Sequence, residues 1–222
     1  MRVYINNSIL DKIPDFDILA YSMDVTYEET SQELINHIKK IEKTISEEYS
    51  LEDVLNIPLI KEARDGYKKL GKDPSRYRLA CESLLRRIVK GNSLYIINNL
   101  VDAGNILSID CFRSVAVLDY DKIQGDVTIR LGKSTDVYEG IGRGIINIEN
   151  VPLYEDDISP FGSTTSDTLR TMITKETKKI LLFIVCFGPN NKEHDINDAF
   201  NLYTKYCNAK NIEKIEVIKE KN

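Results

Sequence analysis

The sequence is poor in the residues on which most metal and nucleophile chemistry depends. It has two histidines, His37 and His194, and no H-E-x-x-H, which leaves little for histidine-based zinc catalysis. Four cysteines (Cys81, Cys111, Cys186, Cys207) lie far apart with no C-x-x-C pair, which argues against a zinc knuckle or a dithiol redox motif. Each sits among apolar neighbours and reads as a buried reduced thiol. There is no G-x-S-x-G elbow. A cysteine–histidine nucleophile would have to use His37 or His194, both on helices that look solvated. No apolar run approaches the roughly 20 residues that span a bilayer, and no charged stretch followed by an apolar one opens the chain. The expectation is a soluble, cytoplasmic protein with no membrane partner. Internal repeats, linkers and low-complexity tracts are also missing.

What is present fits a globular chain able to bury a core: 222 residues, 42% hydrophobic and 29% charged. The formal net charge of −5 gives no global attraction to nucleic acid or an anionic membrane, so any basic surface is local. One stands out. Seven basic residues between Lys68 and Arg87 face only Asp73 and Glu82 as acids. Their stems can simply cover apolar surface. Alternatively Lys72, Arg76, Arg78 and Arg86 offer a face to an anion, nucleic-acid phosphate being one candidate, through salt-sensitive contacts.

Leu34, Ile38, Ile41 and Ile45 recur at helical spacing and predict a helix over 30–48, capped by Thr30 or Ser31. A second helical pattern over 51–70 is interrupted by Pro58 and stopped by Gly71. Asp73-Pro74-Ser75 marks a turn before a helix that runs to Lys90, and another helix begins after Asn98-Asn99. Strands are predicted at 2–5, 16–25, 115–118, 126–131 and 212–218, with 180–185 as a central strand. Residues 132–166, rich in glycine, read as short strands and loops. Helices and strands do not alternate as in a doubly wound sheet, so the fold class is α+β, a mixed β-sheet flanked by helices.

Three clusters invite chemical readings. Gly140-Ile141-Gly142-Arg143-Gly144 departs from a phosphate-binding G-x-G-x-x-G and opens no helix; a strand bend is expected, with a glycine turn such as Gly142 able to line a ligand pocket. Asp119/Asp121 and Glu155-Asp156-Asp157 lack partners at metal-ligand spacing and read as solvated turns. The stretch 163–171 holds six hydroxyls, Asp167 and Arg170. It is either a polar loop full of turn caps or a pocket wall, with Asp167 binding an ammonium and Arg170 a carboxylate or phosphate.

Three pieces in order carry a resemblance: YKKLGKDPSRYRLACESLLRRIVKGNSLYIINNLVDAGNILSI, then LDYDKIQGDVTIRLG, then ITKETKKILLFI. They contain the patterns I-N-N-L-V-D-x-x-N, D-x-D-K-x-x-G and T-x-x-T-K. Together they resemble the tRNA-editing B3/B4 domain of the phenylalanyl-tRNA synthetase β subunit, and above all stand-alone proteins built from that domain. The specific match runs over about 67–206. It implies one B3/B4-like domain over 1–222, with 1–66 as an N-terminal extension.

The resemblance implies hydrolysis of the ester of a mischarged tRNA, tyrosine in place of phenylalanine in the synthetase, with no metal and no cofactor. On that view Asn105, Asp102 and Asp167 are the catalytic candidates. Asn98, Gly142, Thr165, Arg170 and Thr171 are substrate-binding, and Lys72, Arg76, Arg78 and Arg86 hold the tRNA. Two positions depart from the bacterial editing domain: Gly104 stands where the family has a Thr, and Ala116 falls by count where it has a His. An aminoacyl ester is reactive enough that a positioned water and backbone N–H groups supply much of the barrier lowering. The departures motivate an alternative, a non-catalytic module that binds a free amino acid or an aminoacyl-tRNA end. A third reading is RNA binding through the basic segment alone.

Overall fold

The computed structural model describes residues 1–189 and 192–220. Its strands are β1 (Val3–Ile5), β2 (Asp17–Asp24), β3 (Val115–Asp119), β4 (Val127–Leu131), β5 (Glu139–Gly140), β6 (Gly144–Ile145), β7 (Pro152–Glu155), β8 (Pro160–Ser163), β9 (Lys179–Cys186), β10 (Lys210–Lys214) and β11 (Val217–Lys219). Its α-helices are α1 (Asn7–Leu10), α2 (Gln32–Glu48), α3 (Leu51–Asn56), α4 (Pro58–Leu70), α5 (Ala80–Val89), α6 (Asn99–Asp110) and α7 (Lys192–Cys207).

The strands form two main sheets rather than one. An antiparallel four-stranded sheet runs β10-β2-β9-β3, and a mixed five-stranded sheet runs β11-β1-β4-β7-β8, with β5 and β6 as a separate hairpin. β9 explains the layering. Its alternate residues Ile180, Leu182, Ile184 and Cys186 enter one core beneath α2, α5, α6 and α7, while Leu181, Phe183 and Val185 enter a second core shared with the five-stranded sheet. A strand buried on both faces must be apolar at every position, which is why KILLFIVC reads as a continuous run. Each fully buried Leu, Ile or Phe contributes about 1.5–3 kcal/mol.

The helix ends follow the sequence signals. Ser31 Oγ accepts from the Leu34 N–H and starts α2. Pro58 opens α4 at its first turn, and Gly71 closes it with φ +90°, a left-handed conformation that favours glycine. Asn98 caps α6, its Oδ1 accepting from Val101 N–H at 3.0 Å.

One expectation changes. Residues 212–218 do not form one strand: β10 pairs with β2 in one sheet, β11 pairs with β1 in the other, and buried Ile215 sits between them. The alternation of Ile212, Ile215 and Val217 cannot reveal that the chain changes sheets. Residues 1–66 contribute to both sheets: β1 lies between β11 and β4, and β2 between β10 and β9.

Two of the sequence patterns turn out to grip each other. In the 119–125 turn, which carries the chain from β3 to β4 and from one sheet to the other, Asp119 Oδ2 accepts from the Thr177 hydroxyl at 2.7 Å. Lys122 Nζ donates to Met172 O at 3.0 Å and lies 3.4 Å from Asp119. D-x-D-K and T-x-x-T-K are thus two halves of a clasp. Asp119 and Asp156 are buried rather than solvated, a correction to the reading of both acidic clusters.

A candidate ligand cavity between α6, β3 and the 167–173 segment

A cavity of about 280 Å³ opens between the first turns of α6, the helix-facing side of β3 and the segment that follows β8. Its walls are mostly apolar: Val101, Val115, Val117, Met172 and Ile173, with Ile97 and Ile141 towards the mouth. The polar groups in it are Asn98, Asn105 and Asp167.

α6 can approach β3 because position 104 has no side chain. A Cβ there would stand 2.4 Å from Val117 Cγ2 and 3.0 Å from the Tyr203 hydroxyl oxygen. Gly104 and Val117 are therefore two sides of one packing solution. β3 turns alternate residues to opposite sides. Ala116 and Leu118 point into the core between the sheets, and it is Val115 and Val117 that face the cavity.

Asp167 is the unusual group. Its Oδ1 is buried and has no hydrogen-bond partner among the described residues. It fits because Gly162 lies against it; a Cβ on Gly162 would come within 2.7 Å of that oxygen. Burial pushes the Asp167 carboxyl up to about 7, only partly offset by the Ser163 backbone N–H. Asn105, half-buried on α6, lines the same cavity.

Of the other expected site residues, Asn98 also lines the cavity and the rest lie elsewhere. Asp102 is buried and does not line the cavity: it accepts from the Thr30 hydroxyl at 2.5 Å and from the Ile97 N–H at 3.2 Å, tying residues 92–98 to the start of α2. Burial raises its pKa, against those two hydrogen bonds. Gly142 sits at the exposed tip of the β5–β6 hairpin with φ +66° and no atom within 4 Å of where its Cβ would be. Its neighbour Ile141 lines the cavity instead.

The hydroxyls of the 163–171 stretch are largely spent on partners within the fold. Thr164 and Thr165 both bond the Tyr67 hydroxyl, at 2.5 and 3.0 Å. Thr168 and Thr171 donate to Phe161 O. Arg170 is not free for a ligand: it makes a two-toothed pair with Asp156 at 2.8 and 3.1 Å and donates to Lys122 O and Ser159 O.

The basic segment divides in the same way. Lys72 is buried, its ammonium donating to Asn147 and to Glu149 O at 2.6 Å. Arg86 lies 3.8 Å from Glu82, which also takes Arg64 at 2.8 Å. Arg76 and Arg78 remain exposed. Among the described residues, no group of three His, Cys, Asp or Glu is placed to hold a metal ion, and no helix is long and apolar enough to cross a membrane.

A mixed α+β fold with an apolar cavity and one unpaired carboxyl at its wall has the layout of a domain that encloses a small ligand or the end of a larger one. The chain belongs to the B3/4 domain family, whose model matches residues 62–215. Over 110 residues it is 28% identical to the phenylalanine–tRNA ligase β subunit of Fusobacterium nucleatum subsp. nucleatum, a match covering 48% of this chain and 14% of that protein. The chain therefore spans a small part of this relative's length. In structure it is similar to an N-terminal fragment of the phenylalanyl-tRNA synthetase β subunit from Pyrococcus horikoshii, with a TM-score of 0.55 over 99% of this chain and 52% of that one. At 10% identity this is a likeness of fold alone. It takes in the first 66 residues, which the sequence resemblance left out.

The apolar walls Val115, Val117, Met172 and Ile173 were not anticipated. The signal for β3 lay in its period of two, but nothing in the sequence says which of its faces meets a cavity.

Proposed function

We propose that the protein receives the aminoacyl end of a charged tRNA in this cavity and hydrolyses its ester. The observation that carries the proposal is Asp167, a carboxyl with one buried oxygen unpaired among the described residues, pushed up to about 7 by burial in a mostly apolar cavity. A general base works best when its pKa lies near the working pH.

In this mechanism the ionised Asp167 takes a proton from a water that attacks the ester carbonyl carbon. The Asn105 amide donates to the carbonyl oxygen as it gains charge, and a single donor of this kind is worth about 10²–10³ in kcat. The bond from carbonyl carbon to ribose oxygen then breaks, and the proton passes from Asp167 to that oxygen. The products are a free amino acid and an uncharged tRNA. Arg76 and Arg78 are exposed cations of the basic segment, open to backbone phosphate.

The test is deacylation of a panel of charged tRNAs. At least one should lose its amino acid faster than in buffer, with a rate that rises through an apparent pKa near 7, and Asp167→Asn should remove the acceleration. The proposal fails if every charged tRNA decays at the buffer rate. The same carboxylate can instead pair with an α-ammonium and hold an amino acid without cleaving anything. In that case amino acids raise the melting temperature while no ester is lost.

A further inference from the structure

The largest unexplained feature outside the cavity is at its mouth. Residues 92–98 bridge α5 and α6 as a strap without regular structure. Three consecutive large side chains on it face solvent: Tyr95 at 68%, Ile96 at 47% and Ile97 at 56% exposure. A contiguous exposed apolar patch of this kind marks a contact surface.

The strap is held firmly despite its exposure. Leu94 is buried, and its N–H donates to the Glu42 carboxylate at 2.6 Å. Ile97 N–H is gripped by Asp102, which Thr30 fixes in turn. Arg87 donates through Nε to Ser93 O at 2.6 Å, and its guanidinium lies 4.0 Å from the centroid of the Tyr95 ring. The ring is thus supported by a cation and still largely open to solvent. Ile97 lines the cavity, and the Cα of Tyr95 is at most about 7 Å from that of Ile97. Towards the mouth stands the β5–β6 hairpin, with Ile141 in the cavity wall and Arg143 exposed at its turn.

We infer that Tyr95 is a stacking platform for an unpaired base at the 3′ end of the RNA strand whose last ribose enters the cavity. This rests on the reading of the cavity as an aminoacyl-end site. An aromatic face backed by an arginine suits any base, because every base has a π-face. Ile96 and Ile97 offer apolar contact to the ribose and base edge, and Arg143 is an exposed cation for the adjoining phosphate. Lys72 and Arg86, the most prominent cations of the sequence, are already paired and do not fill this role.

The chain has no tryptophan, so Tyr95→Trp introduces a single indole reporter. Titration with a short single-stranded RNA should quench its fluorescence in a saturable way, and a blunt RNA duplex should not. In deacylation of a charged tRNA, Tyr95→Ala should raise KM about tenfold or more and leave kcat unchanged, while Tyr95→Phe retains the wild-type KM. Absence of quenching at millimolar RNA overturns the platform, as does an unchanged KM in Tyr95→Ala. Quenching by unrelated peptides but not by RNA overturns it too. If RNA quenches the indole and no charged tRNA is hydrolysed, the platform stands and the hydrolytic reading falls. If the wild type hydrolyses a charged tRNA and Tyr95→Ala matches it, the reverse holds.

Discussion

Replacing Asp167 by Asn should make the protein more stable at pH 8 and leave its stability almost unchanged near pH 4. In the folded chain burial holds this carboxyl near pKa 7, against an ordinary value of 3.8. The fold therefore binds a proton that the unfolded chain has lost anywhere between those values. Stability contributed by this group falls as pH rises through that window and levels off above about 7. A difference of about three units corresponds to about 4 kcal/mol. Asp167 is partly exposed as a residue, so screening by solvent reduces this to about 2 kcal/mol. Asn resembles the protonated acid in shape and charge, and it should recover most of that at pH 8. Urea unfolding of both proteins at pH 4 and pH 8, followed by far-UV circular dichroism, isolates the effect, because the other titrating groups cancel in the difference. An equal gap at the two pH values would refute the reasoning, and so would a variant less stable than wild type at pH 8. The same substitution is expected to abolish deacylation, so gain of stability and loss of activity should arrive together, as they do where a site is held against its own stability.

The contact between Gly104 and Val117 can be tested by a double-mutant cycle. Gly104→Ala gains about 1 kcal/mol of helix propensity and incurs about 1–3 kcal/mol of overpacking against Val117 Cγ2; adding Val117→Ala should relieve the clash, with a coupling of about 1 kcal/mol or more in chemical denaturation. Arg170→Ala should cost about 3–5 kcal/mol of stability, because it leaves the fully buried Asp156 side chain without its cation, whereas Arg76→Ala should stay within about 0.5 kcal/mol; the two values changing places would mean that the cation roles have been assigned the wrong way round.

Most elements were legible in the sequence because their signals are local. The spacing of Leu34, Ile38, Ile41 and Ile45 marked α2, Pro58 and Gly71 bounded α4, and the Asn98-Asn99 pair announced α6. The apolar run of β9 gave its central position. What stayed hidden was tertiary. The division of strands between two sheets cannot be read from alternation, since β3 and β4 look alike and lie in different layers. Of the residues singled out for the site, Asn98, Asn105 and Asp167 line the cavity. Asp102, Thr165, Arg170, Thr171 and Lys72 were singled out for their chemistry, but each is spent on a partner distant in sequence: Thr30, Tyr67, Asp156, the Phe161 carbonyl and the Glu149 carbonyl. Polar residue type tells what a group can bond to, and only the fold tells whether that bond is already made.

The place of β1 has a consequence for how the molecule is made. Its three residues pair with Val127–Ile129 on one side and Val217–Lys219 on the other. Val3 pairs with Val217, so the order β11-β1-β4-β7-β8 cannot be completed until residues 217–219 have been made. Pairing of strands this far apart in sequence slows folding. Until β11 arrives, β1 can pair only with β4, and the other edge of a strand whose Val3 and Ile5 are wholly buried in the finished protein is left open.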